Sequence, residues 1–266
     1  MEKISVMSFN LRVDCQGDGI NRIQNRKGRI LETIKKYSPD IIGFQEAEDN
    51  VREWLRDSLA EYTVVGCGRE VDYRGESVPV AFRRDKFEMI FCENFALSET
   101  PEIMGTRFEG VGQSDNSRMA TAIKLKEINT NEPFLFLNTH ADHHAPEARR
   151  LEFLMLSEYL SAKGDRCILT GDLNTLPDSD LLKVFTENTL LPFTDATCRI
   201  EETFHAFGKV GKSSYWQEKY GTDKVKIDYI FTTLPTDPGA SFAIEDIPEN
   251  EIYISDHRPV MAFVEI

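Results

Sequence analysis

The sequence predicts an α/β fold: a four-layer α/β/β/α sandwich in which two sheets pack face to face between outer helices. Two patterns predict it. Short apolar runs recur along the chain, and in its first half they alternate with helical stretches before strands come to dominate. The length of 266 residues suits one large α/β domain spanning 1–266. A chain of that size buries roughly 70–75% of its unfolded surface, enough for a double-layered core. No repeat, linker or low-complexity stretch interrupts it.

The first strand covers 3–10, where Ile4, Val6, Ser8 and Asn10 share one face and Ser5, Met7 and Phe9 the other. A helix follows near 25–37, and Arg26-Lys27-Gly28-Arg29 reads as its positive, surface-facing start. The stretch 40–46 holds a short apolar run, the kind a strand buried on both faces shows, and Glu46 follows it directly. A helix near 48–60 and a strand at 61–66 come next. Strands dominate 78–92 and 118–140, the latter ending in Asn138-Thr139-His140. A long helix covers about 145–163, and strands return at 166–170, 226–233 and 259–265. The segments Glu99–Ser117 and Gly208–Thr222 read as loops, well placed to shape a substrate site.

Acids and their partners fall at the ends of these apolar runs. Asp172 and Asn174 in Gly171-Asp172-Leu173-Asn174 are two apart, so in extended backbone they point the same way. Asp228 is the single acid in the strand 226–231, and a buried carboxylate needs a partner. His257, in Ser255-Asp256-His257-Arg258-Pro259, is the natural one. Acids gathered at one rim repel unless a cation holds them, which argues for a divalent metal. A hard ion such as Mg2+ (or Mn2+) takes one or two carboxylates and leaves positions for phosphate oxygens. Glu46 with Asn10 and Asp256 suits that ion, and no thiolate set points to zinc.

Six motifs, SFN, FQE, NTH, GDLN, KIDYIF and SDHRPV, occur in this order and span residues 10–257. In this the chain resembles the endonuclease/exonuclease/phosphatase superfamily, the DNase I-like metal-dependent phosphoesterases. GDLNTLPDSD and NTHADHHAPEARR resemble the branch of CCR4-type deadenylases and uncharacterised bacterial members. The resemblance implies two mixed sheets and hydrolysis of a phosphoester by in-line attack of water, chemistry met largely by positioning and charge neutralisation. It implies Asp172 as the group that positions or deprotonates the water, with His257 the alternative base or a clamp on the phosphate, oriented by Asp228. Asn174 and His140 hold phosphate oxygens, and Glu46, Asn10 and Asp256 bind metal. It further implies substrate contacts from Arg118, Asp142 and His205.

Taken singly, most of these residues have plainer readings. Asn10 suits a turn, Glu46 a cap for the helix starting near Ala47, and Asp172 with Asn174 a turn before Pro177. His140 and His257 suit ordinary core or surface positions. His143 and His144 read as a polar loop, Arg149-Arg150 as a solvated helix face, and Trp54 and Trp216 as packing residues. Order and strand context, not identity alone, favour the functional reading.

The formal net charge of −14 disfavours long duplex DNA, whose nonspecific binding rests on a basic footprint. A local patch of Arg83-Arg84, Arg118 and Lys209–Lys212 still suits a short strand. The leading reading is therefore a phosphodiesterase on single-stranded RNA or DNA. The alternatives are a phosphomonoesterase on a small phosphorylated metabolite and a noncatalytic binding module. The segment before Asp256 lacks the PAWCDR-like signature of inositol polyphosphate 5-phosphatases. Nothing in the sequence calls for a membrane or an obligate protein partner. Five scattered cysteines without CxxC spacing predict reduced thiols and a cytoplasmic address.

Overall fold

Strand β1 (Lys3–Asn10) leads through helix α1 (Ile23–Tyr37) to β2 (Ile41–Gln45), then α2 (Asp49–Ser58), β3 (Tyr62–Val65) and β4 (Val80–Arg83) in a computed structural model that describes residues 2–266. There follow β5 (Phe87–Ala96), β6 (Met119–Glu127), β7 (Pro133–His140), α3 (Pro146–Lys163) and β8 (Cys167–Asp172). The last third holds α4 (Lys183–Thr186), β9 (Thr194–Asp195), α5 (Ser214–Tyr220), β10 (Asp228–Thr232), β11 (Phe242–Ala243) and β12 (Val260–Glu265).

The strands form two six-stranded sheets, ordered β11-β12-β1-β2-β4-β3 and β5-β6-β7-β8-β10-β9. Both are mixed: β1 pairs parallel with β2, and β7 parallel with β8, while the other pairings are antiparallel. Strand alternation then sorts the core into layers. Ile4 and Val6 meet Ile123, Phe136, Ile168 and Ile230 between the sheets. Met7 and Phe9, on the opposite face of β1, pack with Ile30 and Ile34 of α1 and Leu55 of α2. On the far side, Leu135, Leu137 and Leu169 pack against Phe153, Leu156 and Leu160 of α3. Helices, sheet, sheet and helix make the four expected layers. Helix α3 starts at Pro146, where a missing N–H costs nothing, and stops at Gly164.

Several expectations need correction. The run 78–92 divides at Arg84–Lys86, and its halves join different sheets, so the chain crosses the sandwich there. The segment 208–222 is not all loop but carries α5. Arg26 does not face solvent: it is fully buried and donates to the carbonyls of Leu11, Arg12, Asn21 and Ile254 at 2.6–2.9 Å. A guanidinium has donors enough to serve four acceptors, which no lysine could match in one plane. All five cysteines are free. Among the described residues no helix is long and apolar enough to cross a membrane.

Candidate active site

The inter-sheet face that is apolar along most of β1, β2, β7, β8 and β10 turns polar at one end. There β1 supplies Asn10, β2 Gln45, β7 Asn138 and His140, β8 Thr170 and Asp172, and β10 Asp228. Register fixes the centre: Asp172 is the cross-strand partner of both His140 and Asp228. Gly43 makes the close sheet contact possible, since a Cβ there would lie 2.3 Å from Thr170 Oγ1 and 2.5 Å from Asn138 Oδ1. Behind the rim, Gln45 Nε2 donates to Asn138 Oδ1 at 2.7 Å and Asn138 Nδ2 donates to the Phe44 carbonyl at 2.6 Å. Every one of these side chains is buried, so the network anchors the two sheets to each other at the site.

Around Asp172 the side chains interlock. Asn10 Nδ2 donates to Asp172 Oδ2 and to Glu46 Oε1, each at 3.0 Å. Asp172 Oδ1 accepts the Asn174 N–H at 3.0 Å, and Asn174 Nδ2 donates to the Ala141 carbonyl. His257 Nδ1 and Asp228 Oδ2 are 2.9 Å apart, the pairing expected from sequence, while His257 Nε2 lies 3.7 Å from Asp172 Oδ2. His140 Nε2 is 3.5 Å from the same oxygen. Burial works against the charge on His257, but Asp228 and then Asp172 overcome it and push the imidazole up to about 10. His140 goes the other way: burial and Arg118 hold it well below the ordinary imidazole value, so it is neutral. Burial, with Asp228 beside it, pushes the Asp172 carboxyl up to about 7. Glu46 is half-buried, and against that desolvation Arg12 and the Val13 N–H at 2.8 Å hold its carboxyl below the usual value.

A hard divalent cation fits this donor set. Glu46, His140 and Asp172 each offer a ligand atom, all within 4.8 Å of one another, and Asp172, Asp228 and His257 form a second such group. The Asp228–His257 hydrogen bond engages the second group internally, which leaves the first as the better cradle. Asp228 Oδ1 is buried without a hydrogen-bond partner, a costly state for a carboxylate oxygen unless a ligand group reaches it. Oxygen and imidazole donors without thiolate match Mg2+ or Mn2+ better than a structural zinc site. Of the expected trio of Asn10, Glu46 and Asp256, only Glu46 belongs to either group. Asn10 is a spacer whose Oδ1 accepts the Arg12 N–H at 2.9 Å, and Asp256 Oδ2 faces Arg12 Nε at 3.7 Å.

The cluster opens into a cavity of ≈ 440 Å³. Five of the ten described non-glycine residues with positive φ line it: Arg12, Glu46, Asn174, Ala206 and Phe207. Such backbone is held only where surroundings enforce it, and it aims these side chains inward. Arg118 lines the cavity as expected, buried, with Nη2 2.9 Å from His143 Nδ1. Opposite stands a wall that sequence reading assigned to packing or loop. Trp216 and Tyr220 of α5 stack at 6.0 Å, both pack on Phe204, and Phe204 lies 4.8 Å from the His257 ring. Lys219 sits over Trp216 and Tyr220. Arg12, His143, Trp216 and Lys219 were thus missed, and only the spacing of aromatics and lysine within 215–220 hinted at them.

Two residues expected to contact substrate do not line the cavity. The Asp142 side chain is fully buried and its oxygens accept from Ser114, His144 and Ala145, so it caps the turn into α3 and ties down the 99–117 loop. His205 points behind the cavity wall, with Nδ1 accepting the Gly208 N–H at 3.2 Å and its ring against Tyr253, and burial pushes it down to about 3. Arg83 and Arg84 are spent on Asp85 and the Tyr62 carbonyl and do not line the cavity.

The family model described as "Endonuclease/Exonuclease/phosphatase family" matches residues 7–257. A solved endonuclease/exonuclease/phosphatase from Bacteroides vulgatus is 31% identical, with a TM-score of 0.88 and 100% of both chains covered. A mannosyl-6-phosphatase of Bacteroides thetaiotaomicron VPI-5482 shares the fold at 24% identity and a TM-score of 0.83, covering 98% of this chain and 100% of that one. An uncharacterized protein of Acanthamoeba polyphaga mimivirus is 24% identical over 268 residues, 94% of this chain and 95% of the viral protein.

Proposed function

The chain belongs to the endonuclease/exonuclease/phosphatase family, whose members are hydrolases acting on phosphoesters, and from that premise we propose that it is a divalent-metal-dependent phosphomonoesterase for a small phosphorylated metabolite. The observation that carries this is the shape of the entrance. The Asp172 cluster opens into a cavity of ≈ 440 Å³ walled by α5, within the ~300–1,000 Å³ usual for small-molecule sites. The net charge of −14 disfavours a long polyanion as well. The aromatic pair Trp216 and Tyr220 supports a second reading, in which bases of a short single strand stack on that wall.

Glu46, Asp172 and His140 would hold the metal, which when bound neutralises charge on the transferring phosphoryl group. The protein's own groups do the rest. Asp228 fixes His257 through Nδ1, leaving Nε2 to donate to a phosphate oxygen. The Asn174 amide and the Arg118 guanidinium supply further donors on the cavity wall. Asp172 is the carboxylate at the centre of the cluster and accepts the proton of the attacking water.

The test is substrate choice. Phosphate release from a panel of sugar phosphates, mannose 6-phosphate included, and nucleoside monophosphates is measured with Mg2+ or Mn2+. The same preparation is given a 5′-labelled single-stranded oligoadenylate. Phosphate release with an intact oligonucleotide is expected. A shortening ladder without phosphate release from any monoester would overturn the monoesterase in favour of the diesterase.

A further inference from the structure

Beside the reaction cavity lies a second chamber of ≈ 350 Å³, and the two share His143, Asn174, Lys219 and Tyr220 as a common wall. The chamber adds Arg149, His144 and one acid, Asp178. In a chain with 45 acids against 31 bases, a basic chamber stands out. Arg149 Nη1 donates to the Asp142 carbonyl at 2.8 Å, but its Nε is buried with no partner. Among the described residues neither Arg149 nor Lys219 has a carboxylate within 4.0 Å, whereas most arginines of this protein do. Lys219 is held over the faces of Trp216 and Tyr220 at 5.5 and 5.1 Å, an arrangement that keeps its charge at the border of both chambers.

Two cations without counter-ions, in a cavity contiguous with a phosphoester site, are matched by an anion carried on the substrate itself. We propose that this annex is a subsite for a second phosphate group, so that the preferred substrate is a small bisphosphorylated molecule. The inference rests on the small-phosphoester reading of the main cavity. Asn174, at the shared wall and hydrogen-bonded to Asp172, marks where the scissile phosphate ends and the rest of the molecule crosses. Arg149 then grips the distal phosphate, and Lys219 neutralises charge between the two.

Titration calorimetry in excess Mg2+ tests the subsite directly. The probes are α,ω-alkanediol bisphosphates of graded length and the alkyl monophosphates that match them. In the wild type the best-fitting bisphosphate is expected to bind about tenfold or more tightly than its monophosphate. Arg149→Met should erase that advantage while leaving monophosphate affinity unchanged, and Arg149→Lys should keep much of it. If Arg149→Met misfolds, Lys219→Met, at an exposed position without hydrogen bonds to lose, should lower bisphosphate affinity more than monophosphate affinity and so shrink the ratio of the two. Equal affinity for both probes at every length, or an advantage that survives in Arg149→Met, overturns the proposal. An ω-carboxylate phosphate that binds as tightly as the bisphosphate overturns the assignment to phosphate. Failure here with sugar phosphates still hydrolysed leaves the monoesterase standing. Probes that bind without any monoester being hydrolysed remove the monoesterase and leave the subsite.

Discussion

Asn10 and Asp172, 162 positions apart in sequence and on different sheets, meet through a 3.0 Å hydrogen bond in which the amide also holds Glu46 at 3.0 Å. One neutral side chain thus separates two carboxylates that would otherwise repel across the inter-sheet seam. Asn10→Asp replaces the spacer by a third charge. Without metal the variant should be about 2 kcal/mol less stable, and Mg2+ should restore much of the loss. Thermal unfolding in chelator and in Mg2+ reads both. Equal stability of variant and wild type in chelator would show that the amide does not keep the carboxylates apart.

Asp228→Asn tests orientation of His257. The amide retains the volume and one acceptor, so the fold should hold, but the imidazole loses its charged partner at 2.9 Å. A fall in kcat of about 10²–10⁴ is expected, with an unchanged circular dichroism spectrum. A loss confined to KM would make the pair a binding device instead.

Metal should report on Glu46 apart from turnover. A ligand present at about a hundredfold its Kd stabilises the native state by about 2.7 kcal/mol. The wild-type Tm should rise accordingly with Mg2+, and Glu46→Gln should reduce the rise at the same concentration. An identical rise in both would move the ion away from Glu46.

Glu152, on the buried face of α3 and outside the cavity lining, predicts a pH dependence of stability. Burial pushes its carboxyl up to about 7, and only Oε2 has a partner, the Asp142 N–H at 2.9 Å. Raised in the folded state from 4.5, this acid favours folding fully below pH 4.5, and that favour is lost as pH rises through about 7. Glu152→Gln removes the titration. Denaturant unfolding should show the two proteins alike near pH 4.5 and the variant more stable by up to about 3 kcal/mol above pH 8. A wild type that gains on the variant as pH rises would mean that Arg118 stabilises the charged form.

The strands of the site were legible because each one carries an alternating or continuous apolar run to a polar terminus. Ile4, Val6, Ser8 and Asn10 all share the inter-sheet face, and the Asp228–His257 pair followed from the cost of a lone buried acid. The cavity wall was not legible. Helix α5 has seven residues, none of them buried, so no core-facing stripe announces it, and Trp216 reads like any packing residue until Phe204 is placed beside it. Asp142 and His205 do not line the cavity, for a related reason. Sequence places a residue near the rim but does not say which side of the wall its side chain takes, and in both cases backbone N–H groups claimed it. Arg26 was misread because its four carbonyl partners come from three separate chain segments.

Those segments have a consequence for biogenesis. The guanidinium of Arg26 gathers carbonyls of residues 11, 12 and 21 with that of Ile254, and β1 takes β12 as one of its two neighbours. A polypeptide emerging from the ribosome can assemble the sheet of β5 to β8 from consecutive pieces. It cannot close the rim before Ile254, Asp256 and His257 have been made, and until β12 arrives β1 offers an open strand edge. Closure of the rim therefore waits until residues 254–257 have been made, and until β12 follows them the edge of β1 is where association with other chains would begin.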